Sequence, residues 1–210
     1  IEYNAVGEHT YTVREVAGTD TNIDYDSMNA VVTVNVTKDA TSGILTANVT
    51  MPEDTEFNNY HVAPVVARFD FTKKLAGRKL AAGEFSFVLK DSTGKEVETV
   101  KNDEDGNVTF SELSFDNTKV GTHTYTVEEV IPENKEYGMT YDQMKATVTV
   151  EVAKNGHTLT TVTNVTSTGG KNADGNATDG TADKEFNNKV TPPETPEFQP
   201  EKFVVSKEKY

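Results

Sequence analysis

Lys73, Glu129 and Asn188 are the residues of this sequence whose types and spacing suggest chemistry. Each lies on a run of alternating character. In Phe69-Asp-Phe71-Thr-Lys73 the period of two puts the lysine on the same face as two phenylalanines. In Tyr125-Thr-Val127-Glu-Glu129 the same parity places Glu129 with Tyr125 and Val127, and Asn188 shares a face with Phe186. Three inward polar side chains call for an explanation, because an isolated buried charge is very costly. Burial lowers a lysine pKa and raises a glutamate pKa, so the charges can vanish. A neutral Lys73 amine is a nucleophile. A protonated Glu129 is expected to hydrogen-bond the Asn188 carbonyl oxygen and polarise it. Attack on the side-chain amide would then release ammonia and leave a Lys73–Asn188 isopeptide bond, with Glu129 as general acid and base. Such a reaction happens once per molecule, so no enzyme activity is expected.

The elements that must position these residues are strands. Thr10–Val16, Ala30–Val36 and Ile44–Val49 are rich in β-branched and aromatic residues at period two. His123–Val130, Ala146–Val152 and Thr158–Val165 repeat that order. Each copy closes on the same phrase, Phe57-Asn-Asn59 and Phe186-Asn-Asn188, and each contains Tyr-Asp-x-Met, at 25–28 and 141–144. The second copy alone has a front half, with strands expected at Ala67–Lys73, Glu84–Lys90, Val97–Lys101 and Asn107–Phe110. Asp91–Gly94 and Asp103–Gly106 read as hairpin turns. Short strands punctuated by turns predict an all-β antiparallel sandwich. The division expected is the C-terminal half of a first module over 1–59, a complete module over 60–190, and a Pro-rich linker with the first strand of a following domain over 191–210. Residues 167–182, poor in apolar side chains, read as a mobile loop.

Composition narrows the function. A net charge of −14 argues against nucleic acid or an anionic membrane as partner. Mean hydropathy is −0.58, and no run is long enough to span a membrane. There is no cysteine, so disulfides are not available. The sequence opens inside a repeat, which reads as a fragment.

At these residues the chain resembles the isopeptide-linkage repeats of Gram-positive surface proteins, the T-antigen-type streptococcal major pilin family. The phrases that carry the resemblance are Phe71-Thr-Lys73-Lys-Leu-Ala-Gly77, Gly83-Glu-Phe-Ser-Phe87, Asn102-Asp103 with Gly106 before Val108-Thr-Phe110, Tyr125-Thr-Val-Glu-Glu129-Val130 and Phe186-Asn-Asn188. The resemblance implies an Ig-like sandwich of collagen-adhesin B type. It also implies Lys73 rather than Lys74, Glu129 rather than Glu128, and Asn188, as the linking set. The first copy, with Arg14 where Glu128 stands, has Glu15 as the equivalent catalyst and Asn59 as acceptor, but no lysine strand before them. Lys207, in Phe203-Val-Val-Ser-Lys207, has the parity of a donor lysine: the resemblance implies that it belongs to the next domain, and the alternative is donation in trans to that half-module. The implied role is a stalk or shaft module of a wall-anchored adhesin or pilin, on the bacterial surface, with neighbouring repeats as partners. The competing role is an adhesin domain reading a host protein or glycan.

Other motifs carry less. In Asn102-Asp-Glu-Asp-Gly-Asn107 the calcium-loop register fails, because Lys101 holds the first ligand position. His61 and His157 lack acidic or cysteine partners at metal spacing, and His9 and His123 are repeat equivalents at strand starts. No phosphate loop, Ser-His-Asp set or metal cluster stands out, so neither cofactor nor metal is expected. Five Asn-x-Thr sequons fall in Thr-rich stretches. Glu128 and Glu129 make a poor hydrolytic pair, since adjacent strand residues point to opposite faces.

Overall fold

The structure, a computed structural model, describes residues 1–193. The strand expected at 202–207 and Lys207 lie outside the described residues. In chain order the strands are β1 (Gly7–Arg14), β2 (Ile23–Asp24), β3 (Asn29–Lys38), β4 (Leu45–Thr50), β5 (Tyr60–His61), β6 (Val65–Ala67), β7 (Asp70–Ala76) and β8 (Ser86–Asp91). They continue as β9 (Glu96–Lys101), β10 (Asn107–Thr109), β11 (Leu113–Phe115), β12 (Gly121–Glu129), β13 (Met139–Thr140), β14 (Lys145–Asn155), β15 (Thr158–Thr168) and β16 (Glu185–Val190). A single 3-10 turn, Asn117–Lys119, is the only helical element among the described residues. The fold is an all-β sandwich.

Two compact units divide the chain. The first comprises Ile1–Ala67, Leu113–Thr122 and Val150–Val162. Its β1, β3 and β4 form an antiparallel meander, with Tyr11 opposite Val32 and Val34 opposite Val49. Alternation along β3 turns Ala30, Val34 and Val36 inward. A two-stranded pairing of β2 with β5 sets Asp24 opposite Tyr60. A second pairing joins β6 and β11. His157 stacks on Tyr60 at 3.8 Å, and its Nδ1 lies 2.6 Å from Asp24, which also meets Lys154 at 3.0 Å. His157 therefore has an acidic partner that sequence spacing could not reveal, because 133 residues separate the two.

The second unit comprises, among the described residues, Arg68–Glu112, His123–Thr149 and 163–193. One sheet has the order β10-β7-β16-β13, and another runs β15-β14-β12-β8-β9. Phe71 of β7, Phe87 of β8 and Phe186 of β16 meet in the core, with Phe186 5.9 Å from Phe71 and 5.0 Å from Phe87, ring centre to ring centre. Val108, Phe110, Val127 and Val148 fill the rest. The pairing of β16 with β7 is parallel, with Phe186 opposite Lys73. The hairpin turns fall where expected: Gly94 N–H donates to the Asp91 carbonyl, and Gly106 N–H to that of Asp103. Two expectations need correction. The strand expected over Ala67–Lys73 breaks at Arg68-Phe69, where β6 and β7 separate to pair with different partners. The loop expected to be mobile after Ser167 is folded on itself. Ser167 is fully buried, its Oγ donates to the Thr178 carbonyl at 2.8 Å, and its N–H donates to that of Thr181 at 2.8 Å. Thr178 N–H donates in turn to the Gly170 carbonyl. Short polar side chains satisfied by neighbouring backbone supply the order that apolar side chains do not.

Candidate functional site

The three residues meet inside the second unit. Lys73 leaves β7 on the same side as Phe69 and Phe71 and is fully buried. Glu129 ends β12, and Asn188 sits mid-way along β16; both are buried. Lys74 and Glu128, their sequence neighbours, point the other way. Glu128 forms ion pairs with Lys90 and Lys145. Lys73 Nζ lies 2.8 Å from Glu129 Oε2, and Asn188 Nδ2 donates to Glu129 Oε1 at 2.7 Å. One carboxyl group thus bridges the amine and the carboxamide nitrogen. The ring of Phe85 lies 4.6 Å below the amine. The backbone holds the lysine in place too: Lys73 N–H donates to the Gly106 carbonyl at 2.6 Å. Gly106 has φ +90, and a Cβ there would collide with the Lys73 carbonyl oxygen, so the close approach requires glycine.

Burial sets the electrostatics. Desolvation holds the Lys73 amine below the ordinary lysine range, against the pull of Glu129. Desolvation also raises the Glu129 carboxyl, against Lys73 and the Asn188 hydrogen bond. Both directions favour a neutral amine beside a neutral acid.

In one respect the site differs from the sequence-based expectation. Glu129 faces the carboxamide nitrogen, not its oxygen. The oxygen belongs to a residue that the reading of the sequence gave no role: Asp142 N–H donates to Asn188 Oδ1 at 2.7 Å. A backbone N–H can only donate, so the atom facing it must be the oxygen, and this fixes the amide orientation. The Asp142 carboxylate is held in turn, Oδ1 by Met144 N–H at 2.9 Å and Oδ2 by Asn187 N–H at 2.7 Å. Burial raises its pKa. The duplicated Tyr-Asp-x-Met phrase was the signal for this residue.

The first unit repeats the arrangement. Asn59 Nδ2 donates to Glu15 Oε1 at 2.7 Å, and Asp26 N–H donates to Asn59 Oδ1 at 2.8 Å. Asp26 accepts from Met28 N–H and Asn58 N–H, each at 2.8 Å. Glu15 Oε2, the counterpart of the oxygen that meets Lys73, is buried and has no hydrogen-bond partner among the described residues. The flank of this site is open. Val13 of β1 is 49% exposed, whereas its counterpart Val127 is fully buried.

No group of acidic or histidine side chains among the described residues is arranged to hold a metal ion. Asp103 accepts from Asp105 and Asn107 N–H groups, which makes the acidic run 102–107 a side-chain-capped turn. No described helix is long and apolar enough to cross a membrane. A search of curated proteins gives no match. A family model does match, over residues 1–62 and 69–191, and it describes a Spy0128-like isopeptide-containing domain. The chain belongs to this FctA family of isopeptide-containing pilin domains.

Proposed function

We propose that the chain is a shaft module of a Gram-positive surface fibre, closed by a Lys73–Asn188 isopeptide bond that Glu129 catalyses. The observation that carries the reading is the Glu129 carboxyl bridging the Lys73 amine and the Asn188 carboxamide nitrogen. In the proposed reaction Nζ adds to the Asn188 carboxamide carbon. Glu129 Oε2 takes a proton from Nζ and Oε1 delivers one to Nδ2, which leaves as ammonia. One C–N bond forms and one breaks, with no redox partner. The domain division proposed is a half-module over 1–59, a whole module over 60–190 and a connector beyond. Neighbouring repeats on the bacterial surface are the partners. Intact-protein mass spectrometry tests the chemistry: the chain should weigh about 17 Da less than its sequence mass, and Glu129→Gln should restore the full mass. A full-mass parent chain would end this reading.

Glu15 and Asn59 form the matching acceptor, and no amine meets Glu15 Oε2 among the described residues. Lys207 of a neighbouring copy is the donor candidate that the sequence offers, and the unpartnered Glu15 Oε2 marks where an amine would sit. Covalent oligomers under denaturing conditions, absent in Asn59→Ala, are the expected sign. Wholly monomeric chains at high concentration would remove Lys207 from this role.

A further inference from the structure

We infer that Asp142 is a positioning residue whose backbone amide serves as the oxyanion donor for Asn188, and that Asp26 does the same for Asn59. The inference rests on the isopeptide reading above and assigns the part of that chemistry which Glu129 cannot perform.

A carboxamide is a poor electrophile. When the Lys73 amine adds to its carbon, the carbonyl electron pair moves to Oδ1, and negative charge develops there. Both Glu129 oxygens are already committed, one to the amine and one to the departing nitrogen. Among the described residues the Asp142 N–H, 2.7 Å from Oδ1, is the donor placed to stabilise the new charge. It acts in a dry site, with Asn188 2% and Asp142 6% exposed, where a fixed donor is worth far more than in water. When the intermediate collapses, the carbonyl reforms on Oδ1 and ammonia departs. The same N–H then holds the oxygen of the new amide.

The carboxylate has a separate task. Its two oxygens clamp Met144 N–H in its own bend and Asn187 N–H on β16. The donor and the strand carrying the electrophile are therefore tied to one side chain. A shift of either would move Oδ1 away from the donor and the carboxamide carbon away from Nζ. Because both oxygens accept backbone N–H bonds, Asp142 is not poised to shuttle protons.

The first unit supplies an independent observation. Asp26 makes all three corresponding bonds, to Asn59, Met28 and Asn58, each at 2.8 Å. There the site is half open and Glu15 Oε2 is unpartnered. The same aspartate–asparagine geometry is thus present where Glu15 Oε2 meets no amine among the described residues. A residue whose only task was to fill a core would not keep the same three bonds at an exposed asparagine and at a buried one.

The test follows ammonia loss by intact mass on the full chain, freshly made by cell-free synthesis, at a temperature where circular dichroism shows it folded. Asp142→Ala unfastens the donor and should slow the reaction about 100- to 1,000-fold, the range for loss of an oxyanion donor. Asp142→Asn keeps the Met144 bond and loses the acceptor for Asn187, so its rate should fall between the two. Both variants also remove a negative charge that raises Lys73 and Glu129, so the pH profile of the reaction should move to lower pH in each. A folded Asp142→Ala chain reacting within about threefold of the parent rate would overturn the inference. If that variant fails to fold, Asp142→Asn decides by the same criterion. Amide hydrogen exchange on the parent gives a further check, since a rapidly exchanging Asp142 N–H would also refute the role. A parent chain that loses no ammonia defeats the isopeptide reading itself, whereas a reacting parent with an equally fast Asp142→Ala chain defeats only this inference.

Discussion

Asn188→Ala should remove the cross-link while leaving the Lys73–Glu129 pair in place. The proposed bond closes a loop of about 115 residues. The chain-entropy relation for cross-links gives about 4.8 kcal/mol for a loop of that length at 25 °C. The variant also loses the hydrogen bonds from Asp142 and to Glu129, worth about 1 kcal/mol each. Since 1 kcal/mol shifts the midpoint by about 2–4 °C in chains of this size, Tm should fall by roughly 13–27 °C. Differential scanning calorimetry on parent and variant gives the shift, and intact mass confirms which chain carries the bond. Glu129→Gln separates the contributions, because it abolishes the bond while retaining most of the packing. A drop of only a few degrees in Asn188→Ala, with the parent shown by mass to be linked, would refute the entropic argument.

Gly106→Ala should destabilise the second unit by more than about 1 kcal/mol and slow bond formation, because the new methyl meets the Lys73 carbonyl at a positive φ; urea unfolding and a mass time course check both. Asp142 and Asp26 should titrate on opposite sides of the ordinary aspartate value, as carboxyl carbon shifts in NMR would show. Burial raises Asp142, so its ionisation opposes folding and stability declines as pH rises through the interval between its ordinary and raised values. Hydrogen bonds from Asn58 and Met28 outweigh desolvation at Asp26 and lower it, so its contribution is complete above the ordinary value and fades as pH falls through the lowered one. Equal titration of the two would contradict the burial difference between the sites.

Much of this was legible from strand parity. Phe69, Phe71 and Lys73 shared a face on paper and share one in the fold, as do Val127 and Glu129. Parity is a local property and survives into the tertiary structure whenever one face is buried. What parity does not encode is which strands become neighbours. The parallel pairing of β16 with β7 joins residues more than a hundred apart, and the Asp24–His157 contact does likewise. The orientation of the Asn188 amide escaped for a related reason, since it depends on a backbone donor from a bend after β13. Composition also misled at 167–182. Gly, Asn, Asp and Thr read as loose chain, yet side-chain to backbone hydrogen bonds can order such a segment without a core.

The parallel run of β7 beside β16 has a mechanical corollary. Both strands point the same way, so a chain pulled from its two ends enters this pair at one end of the strands and leaves at the opposite end, loading the pair in shear. With an amide fused between residues 73 and 188, tension would pass from one strand directly to the next. The segment from residue 74 to residue 187 would then hang beside the line of force, and loops within it that take no part in forming the bond could change length without lengthening the loaded path.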